Sequence, residues 1–392
     1  MRNVNVPMGT YRWLFAWIPP VGISYMDRAI GRLTGRSQAP ATIVPPPGAN
    51  QSVVQRKATV AYPGYSHEYV RHLRGSVRGG VRVLPYPTKL QFSPKPNFRF
   101  VDIFHLHFVE IMGHDYGQTK ELISELKTNG TKIVWTAHDL TPHFKHQEFF
   151  DPIFQLWAYA ADGMIHHSHY GERRIRERYD FPDSTLHTVI GNRYRREHGD
   201  LNLEKKRAEF ESQLGIAPAK IRIGLIGVPR AEKKVREFLD GVTLSTARDI
   251  QVVCWSLRPG ETAPHDERIA IAEPYSWVYE HTHEKRLAVC DLIALPIDPD
   301  GEMLTSGFVV DAVAMGLGIL ASEWEYLTES AGEAAIPCGH SAESVAECLN
   351  ALTVTDVVKA RAASLELRSH LDWESAREPT LNFYQAVLDA SS

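Results

Sequence analysis

The sequence predicts an α/β protein with two Rossmann-like βα domains that face a central cleft, preceded by an N-terminal extension. Three observations support this prediction. Short apolar runs alternate with helix-like segments, the alternation starts afresh near residue 221, and a proline-rich stretch at 39–51 precedes the first series. Apolar strands separated by helices indicate parallel sheets that are covered on both faces. A length of 392 residues is enough for two or three domains of about 150 residues each.

The first series extends over residues 57–215. Six apolar runs predict its strands, at 58–62, 81–86, 101–108, 132–138, 163–168 and 186–190. Helix-like segments separate them, at 68–76, 118–128, 149–161 and 171–179, and a charged helix and connector follow at 200–219. Open α/β sheets bind ligands at the carboxyl ends of their strands, so we expect one substrate at this edge.

The second series extends over residues 216–392. Its strands are predicted at 221–227, 250–257, 268–273, 291–297, 318–322 and 334–338. Its helices are predicted at 231–240, 281–289, 307–316, 341–353 and 356–390. We expect the C-terminal helices to pack back onto the body, with Trp373 and Tyr384 as packing anchors. A second substrate would bind at the carboxyl edge of this sheet.

The N-terminal extension, residues 1–56, is basic and aromatic. Its first 50 residues hold five arginines and one acid, a net charge of +4 in a chain whose net charge is −4. Arginines beside Trp13, Phe15 and Trp17 favour peripheral contact of residues 1–36 with an anionic membrane surface. The alternative is an arm that packs onto the protein's own body.

Composition excludes several classes of protein. A net charge of −4 gives no overall basic field, so no nucleic-acid partner is expected. The longest apolar run, at 13–23, contains two prolines and is shorter than the roughly 18 residues of a membrane span. The start lacks a signal-peptide pattern, and the four cysteines show no CxxC spacing. We therefore expect a cytoplasmic protein with free thiols, which could bind the inner face of the membrane peripherally.

A glycine and two cations follow the first strand of the second series. Gly227 ends the strand, and Arg230 and Lys233 stand three and six positions later. Glycine lets the backbone approach a ligand closely, while Arg can bind a diphosphate bidentately and Lys as a point charge. The motif is not a dinucleotide fingerprint, because GxGxxG is missing. An ordinary charged surface loop is the alternative.

A second phosphate-binding pattern opens the helix predicted at 307–316. Three residues stand where this helix begins: Thr305, Ser306 and Gly307. An uncapped helix N-terminus binds anionic phosphate through its N–H groups and its dipole. Asp311, about one turn into the helix, could accept hydrogen bonds from ribose, and Glu302 could contact ribose or sugar. The alternative is that Ser306 simply caps the helix.

The segment 304–322, LTSGFVVDAVAMGLGILAS, resembles the nucleotide-binding signature of GT-B glycosyltransferases. It is most similar to bacterial exopolysaccharide enzymes, including the xanthan-type β-mannosyltransferases. Further segments resemble other motifs of this family in the same order: 101–110, 132–143, 161–175 and the loop from Gly227 to Lys233. The resemblance covers about residues 57–390.

Four positions depart from the family's pattern. Asp311 stands where the family usually has Glu, Gly318 where it has Pro, and Asp139 where it has Asn. The family's common PYR after the strand is here Pro296–Ile297–Asp298.

The resemblance implies transfer of a hexose from a nucleotide-diphosphate sugar, GDP-mannose or a UDP-sugar. The acceptor would be a saccharide or a lipid-linked saccharide in polysaccharide or glycoconjugate biosynthesis. The second domain would hold the nucleotide and the first domain the acceptor. Arg230, Lys233 and the helix start at Ser306–Gly307 would neutralise the leaving diphosphate, so we expect no cofactor and no obligatory metal.

The catalytic groups are expected after the strands predicted at 101–108 and 132–138. The resemblance implies that His138 contacts the donor sugar. An inverting reaction needs a base for the acceptor hydroxyl, and Asp139, Asp115 and Glu110 are the candidates. A retaining reaction requires no base beyond the leaving phosphate.

Two histidines and a tyrosine are predicted on the acceptor side. His105 and His107 alternate along one strand, so both side chains lie on the same face of the sheet. Tyr65 belongs to the loop after the first strand. A zinc site of His105, His107, His138 and His143 is an alternative interpretation of the same residues.

Two other classes of function stay open. A nucleotide-sugar epimerase or a phosphorylase would also contain two Rossmann-like domains. A catalytically inactive binding or scaffold protein of GT-B fold is the second alternative, and the departures at Asp298, Asp311 and Gly318 favour it.

Overall fold

The computed structural model describes most of the chain from residue 57 onward. The described ranges are 57–64, 67–86, 98–142, 147–193, 203–217, 219–278, 280–298 and 303–390. The predictions on the extension 1–56, on Tyr65, on Glu302 and on His143 lie outside these residues. No helix in these ranges is long and apolar enough to cross a bilayer.

Six parallel strands of the described residues form the first sheet, in the order β2-β1-β3-β4-β5-β6. The strands are β1 (Thr59–Pro63), β2 (Arg82–Tyr86), β3 (Ile103–Leu106), β4 (Lys132–Thr136), β5 (Gly163–His166) and β6 (Leu186–Val189). The helices of this series are α1 (Glu68–Val77), α2 (Tyr116–Thr128), α3 (Gln147–Ala160) and α4 (His169–Arg178). The six predicted strands are confirmed, each within two residues at either end.

The second sheet has six further parallel strands in the order β9-β8-β7-β10-β11-β12, the doubly wound Rossmann order. The strands are β7 (Ile221–Ile226), β8 (Ile250–Leu257), β9 (Ile269–Pro274), β10 (Leu292–Leu295), β11 (Gly318–Ala321) and β12 (Ala335–Pro337). The helices are α5 (Leu203–Leu214), α6 (Val235–Leu244), α7 (Glu280–Ala288), α8 (Gly307–Ala314), α9 (Glu325–Ala331), α10 (Ala342–Ala351), α11 (Val354–Arg368) and α12 (Arg377–Asp389).

The central strands of both sheets are buried on their two faces, whereas the edge strands β6 and β9 are only partly buried. Every residue of β7 and of β10 is buried, as expected for central strands of a parallel sheet covered by helices. Trp135 and Trp157 fill the core on one side of the first sheet, and Trp255 lies in the second sheet. This burial explains why the central strands are mainly apolar in the sequence.

The last helix, α12, packs against the first sheet. The hydroxyl of Tyr384 lies 2.8 Å from the hydroxyl of Tyr62 and 2.6 Å from Nδ1 of His105. A Cβ at Gly163 would lie 2.7 Å from Val387, so glycine in β5 allows this close approach. Trp373 stacks on His72 with ring centroids 5.7 Å apart. Tyr384 therefore anchors the C-terminal segment to the first sheet, and Trp373 anchors it to α1.

The predicted helices of the second series differ from the structure at three places. The helix predicted at 231–240 begins only at Val235, because Lys234 has a left-handed backbone (φ 40°) after a 3₁₀ turn at Ala231–Lys233. The helix predicted at 356–390 is two helices, α11 and α12, and α9 was not predicted.

Candidate functional site

The two predicted phosphate-binding segments meet at one edge of the second sheet. Gly227 follows β7, and the segment before α8 follows β10. Strands β7 and β10 are neighbours at which the strand order reverses, the position where doubly wound sheets bind nucleotides. The two segments also contact each other, because Asp298 donates its backbone N–H to the carbonyl of Glu232 (2.7 Å) and pairs with Lys234 (3.2 Å).

Gly227 is required by both its backbone and its surroundings. Its φ is 122°, a conformation that side chains with a Cβ rarely adopt. A Cβ there would lie 2.5 Å from the ring of Phe308, the second residue of α8. The glycine therefore lets the turn after β7 contact the N-terminus of α8.

The N-terminus of α8 has no side-chain cap. Ser306 occupies the N-cap position and is buried, yet its hydroxyl makes no capping hydrogen bond. The hydroxyl of Thr305 lies 2.8 Å from the Tyr326 hydroxyl and accepts from the Asn192 amide at 3.1 Å. The alternative in which Ser306 simply caps the helix does not hold, and the positive end of the helix dipole faces the site at Gly307.

Two cations lie beside this helix end. Lys233 is half-buried, and its Nζ lies 5.1 Å from the centroid of the Phe308 ring. Burial, and then the charge of Arg230, lower the pKa of Lys233 to about 7. Arg230 pairs with Glu232 at 3.0 Å and donates to Sδ of Met303 at 3.4 Å. Two cations with one acid and a helix N-terminus form a site suited to an anion.

Asp311 is buried in α8 and faces a histidine that the sequence did not single out. Nε2 of His283, from α7, lies 3.3 Å from Oδ2 of Asp311. His283 also packs edge-on against Phe308. Nothing in the sequence near His283 indicates this contact, since α7 is short and polar. The ribose-binding role of Asp311 stays a prediction.

Three histidines follow three neighbouring strands of the first sheet. His107 and His167 come directly after β3 and β5, and His138 is the second residue after β4, at the carboxyl edge where such sheets bind ligands. Nδ1 of His107 lies 3.4 Å from Nε2 of His138, and Nδ1 of His138 lies 3.3 Å from Nε2 of His167. Burial lowers the pKa of all three, so they are neutral at pH 7. His167 was not among the predicted site residues.

His105 has a different role from its neighbour on the strand. Its ring lies 4.2 Å from that of His107, as the prediction of a shared face requires. Its Nδ1 lies 2.6 Å from the Tyr384 hydroxyl and its Nε2 lies 2.7 Å from Oγ1 of Thr136. Burial lowers its pKa to about 3. These contacts leave no ring nitrogen of His105 for a substrate.

The three candidate carboxylates separate into two groups. Asp115 caps α2, where its side chain accepts from the Gln118 backbone N–H at 2.8 Å in a capping box. Glu110 and Asp139 instead line a cavity together with His107 and His138. Asp139 also forms a backbone bridge with Met303, which joins the ligand edges of the two sheets.

One cluster of the described residues has metal-ligand chemistry. Ligand atoms of His166, Glu172 and His187 lie within 4.8 Å of one another. The two histidines already pair at 2.9 Å, and Glu172 pairs with Arg176 at 3.1 Å. The histidines predicted as a zinc alternative instead contact one another or core hydroxyls, as far as the described residues include them.

Comparison with solved structures shows the fold. HepE of Anabaena, solved with UDP and glucose, is 12% identical over 84% of this chain and 100% of its own, with a TM-score of 0.62. Sucrose-phosphate synthase of Thermosynechococcus elongatus is 13% identical over 86% of this chain and 100% of its own, with a TM-score of 0.61. A glycosyltransferase of Rickettsia africae has a TM-score of 0.60 at 12% identity, over 85% and 99% of the two chains.

These likenesses confirm the predicted fold class, two Rossmann-like domains of the GT-B type. No protein-family model matches the sequence. No curated protein matches it either.

Proposed function

We propose that the protein is a metal-independent GT-B glycosyltransferase that moves a hexose from a nucleotide-diphosphate sugar to a saccharide or lipid-linked saccharide acceptor. The observation that supports this most directly is the anion site around Gly227. An uncapped helix N-terminus, Arg230 and the half-buried Lys233 surround it, with Asp311 one turn further along α8. The cations and the helix N-terminus would bind a diphosphate, and the carboxylate of Asp311 would accept hydrogen bonds from the attached ribose.

A UDP-sugar is our first choice of donor, and GDP-mannose is the second. HepE, which shares the fold, was solved with UDP and with UDP-glucose. The xanthan-type resemblance of the segment 304–322 favours GDP-mannose. We place the product in exopolysaccharide or other glycoconjugate biosynthesis on that resemblance alone.

Charge stabilisation of the leaving group is the chemical task of the second domain. As the bond between the sugar C1 and the phosphate oxygen breaks, negative charge grows on the diphosphate. Arg230, Lys233 and the N–H groups at the start of α8 would stabilise that charge, as fixed dipoles and cations do in other enzymes. No obligatory Mg²⁺ is then needed, and transfer should continue in excess EDTA.

Product analysis with labelled donors tests this proposal. UDP-glucose and GDP-mannose are incubated in EDTA with a panel of saccharides, with Arg230→Ala as the control. Label on a saccharide supports the transferase, provided that Arg230→Ala abolishes it. Conversion of the donor sugar without an acceptor would indicate an epimerase, and tight binding without turnover would indicate a binding protein. Activity that EDTA removes and Mg²⁺ restores would contradict the metal-independent mechanism.

We also propose that residues 1–36 hold a cytoplasmic protein on the inner face of the membrane. The arginines and aromatic residues of this segment support the idea. Deletion of residues 1–50 should then move the protein from the membrane fraction to the soluble fraction. An unchanged distribution would show that the segment is not an anchor.

A further inference from the structure

We propose that His107, His138 and His167 form one ordered hydrogen-bonded chain, which presents Nε2 of His107 as an acceptor for a saccharide hydroxyl. The proposal rests on the proposed function only in taking the ligand to be a sugar. The chain itself follows from hydrogen-bond geometry and can be tested without any substrate.

The direction of the chain is fixed at its far end. Nδ1 of His167 lies 3.0 Å from the backbone carbonyl of Ile190, which can only accept, so this nitrogen has the proton. A neutral imidazole has one N–H, so Nε2 of His167 accepts from Nδ1 of His138 at 3.3 Å. By the same rule, Nε2 of His138 accepts from Nδ1 of His107 at 3.4 Å. Nε2 of His107 then has no proton, and its lone pair can accept a hydrogen bond.

The surroundings keep the chain neutral. Burial is the main cause that lowers the pKa of each histidine, to about 4 for His167. The charge of Arg193 opposes protonation of His167, and the other histidines oppose protonation of His107. The ring of Tyr69 packs edge-on against His138, with ring centroids 4.7 Å apart. One proton for each ring is the state that these contacts favour.

In this chain, the nitrogen that can accept a hydrogen bond from a ligand belongs to His107. The sequence resemblance had indicated His138. Both ring nitrogens of His138 are engaged, so His138 has none left to bind the donor sugar. Nε2 of His107 is buried and has no hydrogen-bond partner among the described residues. A buried polar atom without a partner costs free energy that a bound hydroxyl would recover.

The cavity next to His107 favours the same kind of ligand. Its other polar side chains include the carboxylates of Glu110 and Asp139, which accept hydrogen bonds when ionised. The rings of Phe108 and Phe154 form part of its apolar wall, and Trp135, whose indole N–H can donate, also lines it. A surface that mainly accepts hydrogen bonds selects a ligand rich in O–H donors and disfavours a phosphate. A saccharide, from the donor or from the acceptor, has this chemistry.

Nitrogen NMR of the full-length protein with ¹⁵N-labelled histidine tests the chain directly. At neutral pH, and without nucleotide, His107, His138 and His167 should all be neutral with the proton on Nδ1. In His167→Asn, the side-chain amide can still donate to the carbonyl of Ile190, but it has no acceptor in the place of Nε2 to bind the N–H of His138. The tautomer of His138 is then no longer fixed, so His107 should lose its fixed tautomer as well. Gln in His167→Gln can supply that acceptor, so it should leave His107 unchanged. An Nε2–H tautomer or an imidazolium at His107 in the wild type would overturn the proposal.

Ligand additions then test the acceptor atom and identify its source. If UDP-glucose moves the Nε2 resonance of His107 and UDP does not, the donor sugar is the ligand of Nε2. Methyl glucoside that moves it in the presence of UDP identifies the acceptor saccharide. No movement with either, in a sample that binds UDP, would overturn the role of Nε2.

A variant separates hydrogen bonding from folding. Asn in His107→Asn keeps a donor toward His138 but removes the distal nitrogen. It should bind UDP as the wild type does, while the saccharide that moves the resonance binds about tenfold more weakly, as loss of one hydrogen bond predicts. Equal loss of UDP and saccharide binding would show a structural role and contradict the proposal.

Discussion

At the scale of single residues, Lys233 has the most informative chemistry. Its pKa is lowered to about 7 in the ligand-free protein, mainly by burial. A diphosphate beside it would favour the ammonium and raise this pKa again. Binding at pH 8, where free Lys233 is mostly neutral, should therefore take up a proton, and affinity should fall as pH rises above 7.

Calorimetry checks this prediction. Titration of UDP at pH 8 in buffers of different ionisation enthalpy should show uptake of about one proton. The phosphates contribute little, because their second pKa is about 6. In Lys233→Arg, the arginine is already charged at pH 8 before UDP binds. Proton uptake on binding should therefore vanish in this variant. Equal uptake in the wild type and in Lys233→Arg would assign the proton to another group.

Gly227 makes a second prediction at this scale. In Gly227→Ala, the left-handed backbone costs about 1–3 kcal/mol, and the new methyl group meets Phe308 at 2.5 Å. We expect a lower free energy of unfolding and weaker binding of nucleoside diphosphates. Gly215→Ala is the matched control, since Gly215 also has a positive φ (67°) but nothing lies within 4 Å of its Cβ position. Equal effects of both changes on nucleotide binding would contradict the role of Gly227.

At the scale of elements, the short helix α9 links the two sheets. Glu329 of α9 accepts from the backbone N–H groups of His169 and Tyr170 at 2.6 and 2.9 Å, at the N-terminus of α4. Glu325 of α9 pairs with Arg173 of α4 at 2.5 Å. The N-cap residue Ser168 accepts only from the Gly171 N–H, at 2.9 Å, so one helix of the second series supplies the acceptors for the first two N–H groups of α4.

Removal of the Glu329 carboxylate should be measurable. Glu329→Ala leaves two N–H groups at the positive end of α4 without their carboxylate, which should lower the free energy of unfolding by about 1 kcal/mol. Chemical unfolding measures the change. Glu333→Ala, an exposed position next to the same helix, should have almost no effect. A loss no greater than that of Glu333→Ala would show that these hydrogen bonds of Glu329 do not stabilise the fold.

The elements were predictable where burial alone decides them. The twelve strands of the described residues are mainly apolar segments, and the central ones are buried because helices cover both faces of the sheet there. The start of α6 was not predictable, since nothing in the local sequence shows that Lys234 takes a left-handed backbone. Helix α9 has only seven residues, too few to show a helical period.

The site was predictable in its motifs but not in its contacts. Gly227, Arg230, Lys233 and Ser306 are close in sequence to strand ends, and the topology brings those ends together. His283 contacts Asp311 through packing of α7, which no sequence pattern near it indicates. The hydrogen bonds that occupy both nitrogens of His138 depend on His167 of another strand end, so single motifs could not reveal them.

At the scale of the whole molecule, the ligand edges of the two sheets meet. The backbone bridge between Asp139 and Met303 joins the edge that holds the histidine chain to the edge that holds the anion site. Helix α12 returns from the second series to the first sheet through Tyr384 and Arg377, which donates to the carbonyl of Ser76 at 3.0 Å. A sugar attached to a diphosphate at Lys233 would therefore be directed toward the first sheet.

The central claim is that the second domain binds a nucleoside diphosphate without metal. The most direct measurement is the thermal unfolding of the full-length protein in EDTA with GDP, UDP, dTDP, ADP, CMP or NAD. A ligand at a hundred times its Kd stabilises the folded state by about 2.7 kcal/mol. We predict that UDP, or GDP in its place, raises the melting temperature, and that Arg230→Ala removes the shift. A folded sample that responds to no nucleoside diphosphate, or only to NAD, would contradict the account.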